Sequence, residues 1–163
     1  MRELLYRGTI LDLVRLEGRW EVVDHPAAVI VLAMESGCVL GVTQHRPAIN
    51  KETWELPAGL IDPGETPAQA AARELAEETR LAGELSPLTR MYSSPGFSNE
   101  ELYLFEATQL HRTEGEQDEG ESITVAWREP AKVWSSVAEG RIVTSAPTLV
   151  GLLVALGRSG REW

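Results

Sequence analysis

Apolar and polar residues alternate in short runs along the first part of the chain. Three such runs cover residues 4–6, 10–16 and 20–23, and Gly8 and Gly18 stand in the breaks between them. Alternation with a period of two, interrupted by turn residues, is typical of β-strands with one buried face. The first segment therefore predicts a region of antiparallel strands.

The next apolar run, residues 27–34, is continuous rather than alternating. Ala, Val, Ile and Leu fill almost every position after residues 24–26 break the earlier pattern. A run of this kind predicts a strand that is buried on both faces. Residues 35–37, Glu-Ser-Gly, predict a hairpin turn into a further strand at residues 38–44. The main core is therefore expected to begin here.

The rest of the chain mixes strands with three helices. Strands are predicted at residues 53–57, 85–92, 102–107 and 122–127, and helices from residue 67, at 130–138 and at 146–156. Strands that bracket one polar helix and precede two late helices predict an α/β fold of the α+β type, in which a mixed sheet is sandwiched between helices. We expect residues 1–25 to form an N-terminal β-strand region and residues 26–163 to form the main domain.

The helix from residue 67 has a well-defined start and two different sides. Thr66 is expected as its N-cap, Pro67 as its first residue, and Gln69 as the residue that closes a capping box. A small apolar face is predicted at Ala68, Ala71, Ala72, Leu75 and Thr79.

The opposite side of this helix carries Arg73, Glu74, Glu77 and Glu78 at i, i+3 and i+4 spacings. Carboxylates that close together cost a helix several tenths of a kcal/mol per pair unless a cation relieves them, on the order of 0.2–0.5 kcal/mol. Oxygen ligands on a rigid element suit Mg²⁺ or Mn²⁺. Taken alone, the three carboxylates allow two interpretations, a solvated acidic face or a site for divalent cations.

The composition is that of one globular unit. The chain has 163 residues, of which 43% are hydrophobic and 25% are charged, which is enough for a single domain with a core. No run approaches 18 apolar residues and the first three residues do not open a secretory signal, so no membrane span and a cytoplasmic location are expected. Cys38, the only cysteine, lies in an apolar run and is predicted to be a buried small hydrophobe. His25, His45 and His111 are scattered and are predicted to be surface or turn residues.

The formal net charge of −10, from 15 basic and 25 acidic residues, argues against nucleic acid as a partner. A small anionic ligand would need metal ions to bridge it to so acidic a protein. The GxxxxGK[ST], G-x-S-x-G and HExxH motifs and paired cysteines are all absent from the sequence, which argues against a P-loop NTPase and the corresponding hydrolases. The negative net charge and the carboxylates of the helix from residue 67 together favour metal-assisted chemistry.

The spacing of residues around the acidic helix resembles the Nudix box, G-x5-E-x7-R-E-U-x-E-E-x-G-U, in which U is a bulky apolar residue. The matching positions are Gly59, Glu65, Arg73, Glu74, Leu75, Glu77, Glu78 and Leu81. Arg80 stands where the box has its last glycine. Residues 46–48, 55–60 and 94–97, with Pro95 after the box, are similar to the ADP-ribose pyrophosphatase branch of this family.

The resemblance implies a Nudix fold, so that residues 26–163 are expected to form a Nudix hydrolase domain. It also implies hydrolysis of the pyrophosphate bond of ADP-ribose to AMP and ribose 5-phosphate. The partner is then a small nucleoside diphosphate sugar, and the cofactor is Mg²⁺ or Mn²⁺, two or more ions per site. A homodimer is implied, in which residues 1–25 carry the dimer contact and help to form shared sites. The apolar positions Ile10 and Trp20 within that segment fit this expectation.

Individual roles follow from the same resemblance. The implied metal ligands are the carboxylates of Glu74, Glu77 and Glu78 and the main-chain carbonyl of Ala58, and Arg73 orients the carboxylates. The general base is a glutamate in the acidic loop at residues 114–121. Glu121 is preferred over Glu119 because it stands just before the strand at Ile123. The implied substrate contacts are Ile10 and Arg19 at adenine, Arg46 at the diphosphate, and Ser94, Gly96, Phe97 and Glu100 near the terminal ribose.

Two alternatives to ADP-ribose hydrolysis remain at this stage. One is a Nudix hydrolase of a nucleotide sugar, a dinucleoside polyphosphate or a damaged nucleoside triphosphate. The other is a catalytically silent module that senses ADP-ribose. The intact Glu74, Glu77 and Glu78 argue against the silent module, because a sensor has no need for a destabilising cluster of carboxylates.

Overall fold

The computed structural model describes residues 1–113 and 123–158. The elements in chain order are β1 (Arg2–Arg7), β2 (Asp12–Leu16), β3 (Trp20–Asp24), β4 (Ala28–Glu35), β5 (Cys38–Arg46), β6 (Lys51–Glu55), β7 (Ala58–Leu60), α1 (Pro67–Thr79), β8 (Leu81–Tyr92), β9 (Glu101–Arg112), β10 (Thr124–Arg128), α2 (Pro130–Ala138) and α3 (Ala146–Arg158).

The strands form two sheets. Strands β1, β2 and β3 make a three-stranded antiparallel sheet in that order. The larger, seven-stranded sheet has the order β10-β5-β4-β9-β8, with β6 paired to β5 and β7 paired to β4. Strands β4 and β9 run parallel, whereas the other strand pairs are antiparallel. The mixed sheet and the N-terminal antiparallel sheet confirm the predicted fold class.

Helices cover both faces of the large sheet, and β4 shows why. Val29 belongs to the hydrophobic cluster that includes Leu75 of α1, whereas the next residue, Ile30, belongs to the cluster that includes Leu152 of α3. All four side chains are at most 3% exposed. Successive side chains of a strand point to opposite faces, so a strand between two helix layers must be apolar at every position. This explains the continuous apolar run.

Strands β4 and β5 separate soon after the turn that joins them. They pair only at Met34 with Val39 and at Glu35 with Cys38. The turn residues Ser36 and Gly37 have φ of 50° and 78°, the left-handed conformation that tight hairpins require. Beyond this point β4 pairs with β7 and β9, whereas β5 pairs with β6 and β10. The divergence leaves a cleft at the far end of the two strands.

The loop at residues 93–100 connects β8 to β9 and is hydrogen-bonded to the end of β3 in the N-terminal sheet. The Val23 N–H donates to the carbonyl of Phe97 at 2.7 Å, and the Asn99 N–H donates to the carbonyl of Val23 at 3.2 Å. The side-chain oxygen of Asn99 accepts from the His25 N–H at 2.9 Å. These bonds fix the end of β3 against the loop that enters β9, and so place His25 and Glu100 side by side.

The structure corrects three local predictions. Ala68 and Ala72 of α1 are exposed, and the buried residues of this helix are Ala70, Ala71, Leu75 and Glu78. The prediction took every alanine on one side as buried, whereas the face that packs on the sheet is the one that includes Glu78. Cys38 is only partly buried. Strand β8 starts four residues earlier than predicted, directly after α1. None of the described helices has the length and apolar character that a membrane crossing needs.

Candidate active site

A cleft of about 790 Å³ opens where β4 and β5 diverge. Its walls come from β4 to β7, from α1, and from the residues just before and within the first turn of α3. Eight of the predicted site residues line this cleft: Ile10, Arg46, Ala58, Arg73, Glu74, Glu77, Glu78 and Glu100. The structure thus gathers the predicted metal ligands and part of the predicted substrate contacts in one place.

Local rules fix both ends of α1. The Gln69 N–H donates to the Thr66 hydroxyl at 3.3 Å, and the Thr66 N–H donates to the Gln69 side chain at 2.9 Å, which confirms the capping box. At the other end Arg80 adopts φ 57° and ψ 32°, and its N–H donates to the Ala76 carbonyl at 2.8 Å. The left-handed conformation that glycine favours is therefore kept by an arginine, and the helix is retained.

The Arg73 guanidinium binds three carboxylates. Nε and Nη2 each donate to Glu65 at 3.0 Å, and Nη1 donates to Glu74 at 2.7 Å and to Glu77 at 3.0 Å. Nη2 also donates to the carbonyl of Leu60 at 2.8 Å. The predicted orienting role of Arg73 stays a prediction, and these contacts support it.

The positive charge of Arg73 faces the carboxylates of Glu65, Glu74 and Glu77, and that of Asp62 at 3.9 Å, and the pKa values reflect this excess of negative charge. Hydrogen bonds from Arg73 hold the pKa of Glu65 below its ordinary value. Burial raises the pKa of Glu74, and the charges of Glu77 and Glu65 add to this, so that the contact with Arg73 does not offset it. The hydrogen bond to Glu65 is the largest cause that raises the pKa of Arg73. A further cation beside Glu74 would therefore be favoured.

Glu78 and Gly59 bring α1 and β7 into close contact. Glu78 is 7% exposed, and one of its carboxylate oxygens accepts from the Ala58 N–H at 3.1 Å. A Cβ atom on Gly59 would overlap the carboxylate of Glu74. A side chain at this position would displace the end of the Glu74 side chain from its place against the strand. This explains the first glycine of the box in physical terms.

The predicted metal ligands fit a divalent cation by their chemistry. In the described ranges, no three His, Cys, Asp or Glu side chains are grouped so that they could hold an ion. Arg73 donates to Glu74 and Glu77, and the Ala58 N–H donates to Glu78. The donors are nevertheless all oxygen atoms, and Ala58, Glu74, Glu77 and Glu78 line the same cleft. Such a set suits Mg²⁺ or Mn²⁺ rather than a soft metal.

Glu55 and His25 are among the cleft-lining residues to which the sequence analysis gave no role. Glu55 is 6% exposed and accepts two hydrogen bonds from Arg46, at 3.0 and 2.9 Å. The available signal was an acidic residue between the apolar Trp54 and Leu56. His25, predicted as a surface or turn residue, has Nδ1 at 3.5 Å from a carboxylate oxygen of Glu100. No local pattern pointed to His25, because its partner is far along the chain.

The other predicted substrate contacts are not among the cleft-lining residues of this single chain. Arg19 lies between β2 and β3, with its guanidinium carbon 4.6 Å from the centre of the Trp20 ring. Ser94, Gly96 and Phe97 lie in the loop before β9, and Phe97 is 59% exposed. Glu119 and Glu121 lie outside the described residues.

Comparisons with known proteins agree on one family. A family model described as NUDIX domain matches residues 23–146. The chain is 38% identical over 157 residues to an ADP-ribose pyrophosphatase of Mycobacterium tuberculosis, covering 88% of this chain and 75% of that protein. It is 38% identical over 136 residues to an ADP-ribose pyrophosphatase of Bacillus subtilis, covering 76% of this chain and 74% of that protein. A crystal structure described as an ADP compounds hydrolase has the same fold, with a TM-score of 0.81, 21% identity, and coverage of 99% of this chain and 95% of that one.

Proposed function

Since the chain belongs to the Nudix family and is a pyrophosphohydrolase related to ADP-ribose pyrophosphatases, we propose that it hydrolyses ADP-ribose in the cleft, in a Mg²⁺-dependent reaction. The products are AMP and ribose 5-phosphate. The observation that carries the proposal is that Ala58, Glu74, Glu77 and Glu78 line one cleft around Arg73. The similarity to two ADP-ribose pyrophosphatases supports this substrate. A cytoplasmic location stays a prediction of the sequence.

Hydrolases of this family generally use divalent metal cations. In our proposal Glu74, Glu77, Glu78 and the carbonyl of Ala58 hold two or more Mg²⁺ or Mn²⁺ ions. When bound, these ions supply Lewis-acid polarisation of the phosphoryl group and offset negative charge. Arg73 keeps the carboxylates close together, and burial keeps bulk water away from Glu78.

The remaining cleft residues orient the substrate. Arg46 supplies a fixed positive charge for the diphosphate in a cleft that is otherwise rich in carboxylates. Ile10 contacts adenine, and Glu100, beside His25, contacts the terminal ribose. The predicted contacts Arg19, Ser94, Gly96 and Phe97 do not line the cleft of their own chain. In our proposal they contribute to sites that two copies of the chain share. This requires the homodimer contact through residues 1–25.

We propose Glu121 as the general base, with Glu119 as the alternative. A carboxylate that holds metal is a poor proton acceptor, whereas the strand that follows these two glutamates starts next to Ile123, which lines the cleft. In Glu121→Gln, kcat should fall by roughly 10²–10⁴-fold with little change in substrate affinity. Steady-state kinetics of Glu119→Gln provides the matched control. A collapse in Glu119→Gln alone would move the role to that residue, and normal turnover in both would return it to α1.

The proposal is tested with a panel of nucleoside diphosphate derivatives in the presence of Mg²⁺. ADP-ribose, nucleotide sugars, dinucleoside polyphosphates and an oxidised nucleoside triphosphate are compared at equal concentration, and AMP and ribose 5-phosphate are quantified. We expect the highest kcat/KM for ADP-ribose. A clear preference for another compound would support a Nudix hydrolase of different specificity, and binding of ADP-ribose without product would support the silent module.

A further inference from the structure

Glu55 is a buried carboxylate in the wall of the cleft, and none of the roles described so far uses it. Its two oxygens accept from Nε and Nη2 of Arg46, at 3.0 and 2.9 Å. Two parallel hydrogen bonds fix the plane of a guanidinium as well as its position. Because the two bonds use Nε and Nη2, the third nitrogen of the guanidinium, Nη1, is directed away from Glu55.

The pair is built on two hydrogen-bonded strands rather than on a loop. Glu55 of β6 lies opposite Val42 of β5, and Arg46 lies opposite Lys51. Side chains two residues apart along a strand share a face, so Gln44 and Arg46 lie on the same face as Glu55. All three line the cleft. The position of the Arg46 guanidinium is therefore fixed relative to the sheet that forms the wall.

The two members of the pair differ in exposure, and this assigns their roles. The side chain of Glu55 is 8% exposed, whereas that of Arg46 is 43% exposed. Burial raises the pKa of Glu55, whereas hydrogen bonds from Arg46 and Thr53 and the charge of Arg46 lower it. The lowering effects together are larger, so the pKa of Glu55 lies below its ordinary value. Glu55 is thus an ionised, buried anchor, and Arg46 is the end that faces the cleft.

A structural role alone does not require a carboxylate here. Replacing a buried ion pair by apolar residues of similar volume is often neutral or stabilising, because desolvation of two charges is costly. Val42, which lies opposite Glu55 on the same face of the sheet, is buried and apolar. Without Glu55, the Arg46 side chain would also be attracted to other carboxylates of the cleft, such as Glu74 and Glu77.

We propose that Glu55 is a positioning residue that holds the Arg46 guanidinium in the orientation needed to contact the diphosphate of the substrate. The inference rests on the proposed function, since it requires a substrate with a diphosphate. It assigns to Glu55 an effect on substrate binding that operates only through Arg46.

The test is a double-mutant cycle with Arg46→Ala, Glu55→Gln and the double variant, assayed at saturating Mg²⁺. Glu55→Gln keeps the size of the side chain but loses its charge and one acceptor. We expect each single substitution to lower kcat/KM by about 10-fold or more, mainly through KM. The double variant should lie within about 2-fold of Arg46→Ala, because residues that act as a unit are not additive.

Two further variants separate positioning from folding. Glu55→Met offers a similar volume without charge and should show the same rise in KM, and the melting temperature of each variant is measured to identify any loss of stability. Glu129→Gln, which removes the acidic partner of the exposed Lys132 pair on α2, is the matched control and should leave KM unchanged. Additive losses in the double variant, or a wild-type KM in both Glu55→Gln and Glu55→Met, would overturn the inference.

The cycle is measured with the member of the substrate panel that the wild type hydrolyses fastest. A best substrate other than ADP-ribose therefore refutes the proposed function while the cycle still tests Glu55. If the wild type hydrolyses none of them, the same four proteins are titrated by calorimetry with an ADP-ribose analogue that has a methylene bridge between the phosphorus atoms. Equal loss of affinity in both single variants supports the inference, and absence of binding or of coupling overturns it.

Discussion

Single residues decide how the acidic part of the cleft is arranged. Arg73 donates to Glu65, Glu74 and Glu77, so one guanidinium holds carboxylates that would otherwise repel one another along α1. Glu78 instead accepts from a main-chain N–H of the neighbouring strand. The helix therefore tolerates three carboxylates within about one turn because each has a defined partner, with burial raising the pKa of Glu74.

Arg80 allows a test at the level of one residue. It has φ 57°, a conformation that costs a residue with a Cβ atom about 1 kcal/mol relative to glycine. We expect Arg80→Gly to leave the free energy of unfolding unchanged or to raise it, by no more than about 1 kcal/mol. Urea denaturation measures this, and Arg80→Ala, which keeps the strained conformation, is the control. A loss of Mg²⁺ binding in Arg80→Gly would instead reveal a role for the arginine that we have not assigned.

Residue contacts were predictable from the sequence only where both partners are close in the chain. The capping bonds of Thr66 and Gln69 span three residues and follow from local rules. Glu55 and its partner Arg46 are nine residues apart on paired strands, and His25 meets Glu100 across the fold. Such contacts depend on strand register and on loop placement, which residue types alone do not specify.

At the level of elements, β7 and α1 approach each other closely at the site. Gly59 of β7 leaves no room for a Cβ atom beside the Glu74 carboxylate. The same packing buries Ala70, Ala71 and Leu75 against the sheet. The position of the helix carboxylates therefore depends on how near the strand approaches.

Gly59→Ala should displace the Glu74 carboxylate while leaving the fold intact. We expect a loss of stability of about 1–3 kcal/mol and a loss of kcat/KM of about 10²-fold, because small displacements of catalytic groups have large effects. Gly157→Ala is the matched control, since the added Cβ has no atom within 4 Å apart from its chain neighbours and the backbone of its own helix, and it should keep wild-type turnover. Thermal unfolding and steady-state kinetics give the two values. Wild-type activity in Gly59→Ala would show that the close approach is not needed.

The first residues of α1, α2 and α3 could be predicted because caps, proline and periodicity are local signals. The buried face of α1 could not, since alanines at positions 68 and 72 resemble the buried Ala70 and Ala71 in every local property. The sheet selects the face through Leu75 and Glu78, and that choice is a tertiary effect. A hydrophobic pattern could not predict that the buried face of α1 includes a glutamate, Glu78.

At the level of the whole molecule, the cleft is a consequence of topology. Strands β4 and β5 separate after two residue pairs, and the loop before β9 attaches to β3, so that residues from both sheets meet around one space. A sequence pattern predicts strands but not the point at which two of them diverge. The sequence could therefore name the carboxylates of α1 and Arg46 of β5 as candidate site residues, whereas it could not show that Glu55 of β6 lies in the same wall.

The N-terminal sheet leaves large apolar side chains exposed. Tyr6, Ile10 and Trp20 are 62%, 59% and 52% exposed, and Phe97 in the adjoining loop is 59% exposed. Large apolar side chains that are exposed in one region of a chain are available for burial in an interface, which supports the proposed homodimer. We expect sedimentation at micromolar concentration to give the mass of a dimer.

Substitutions localise this interface. Trp20→Glu should shift the sedimentation equilibrium toward monomer and lower activity in parallel, because the proposed sites are shared. Leu153→Glu, at an exposed apolar position on α3, is the control and should remain dimeric. A wild-type monomer at that concentration would contradict the dimer.

The central claim is that the carboxylates of α1 act by holding the divalent cation that ADP-ribose hydrolysis needs. The most direct measurement is AMP release from ADP-ribose as Mg²⁺ is titrated from zero in the presence of a chelator, for the wild type, Glu78→Gln and the control Glu129→Gln. We expect no turnover without a divalent cation, and a shift of Glu78→Gln to higher Mg²⁺ with part of its rate restored in excess Mg²⁺. Undiminished turnover in chelator, or the same Mg²⁺ dependence in Glu78→Gln as in the wild type, would contradict the account.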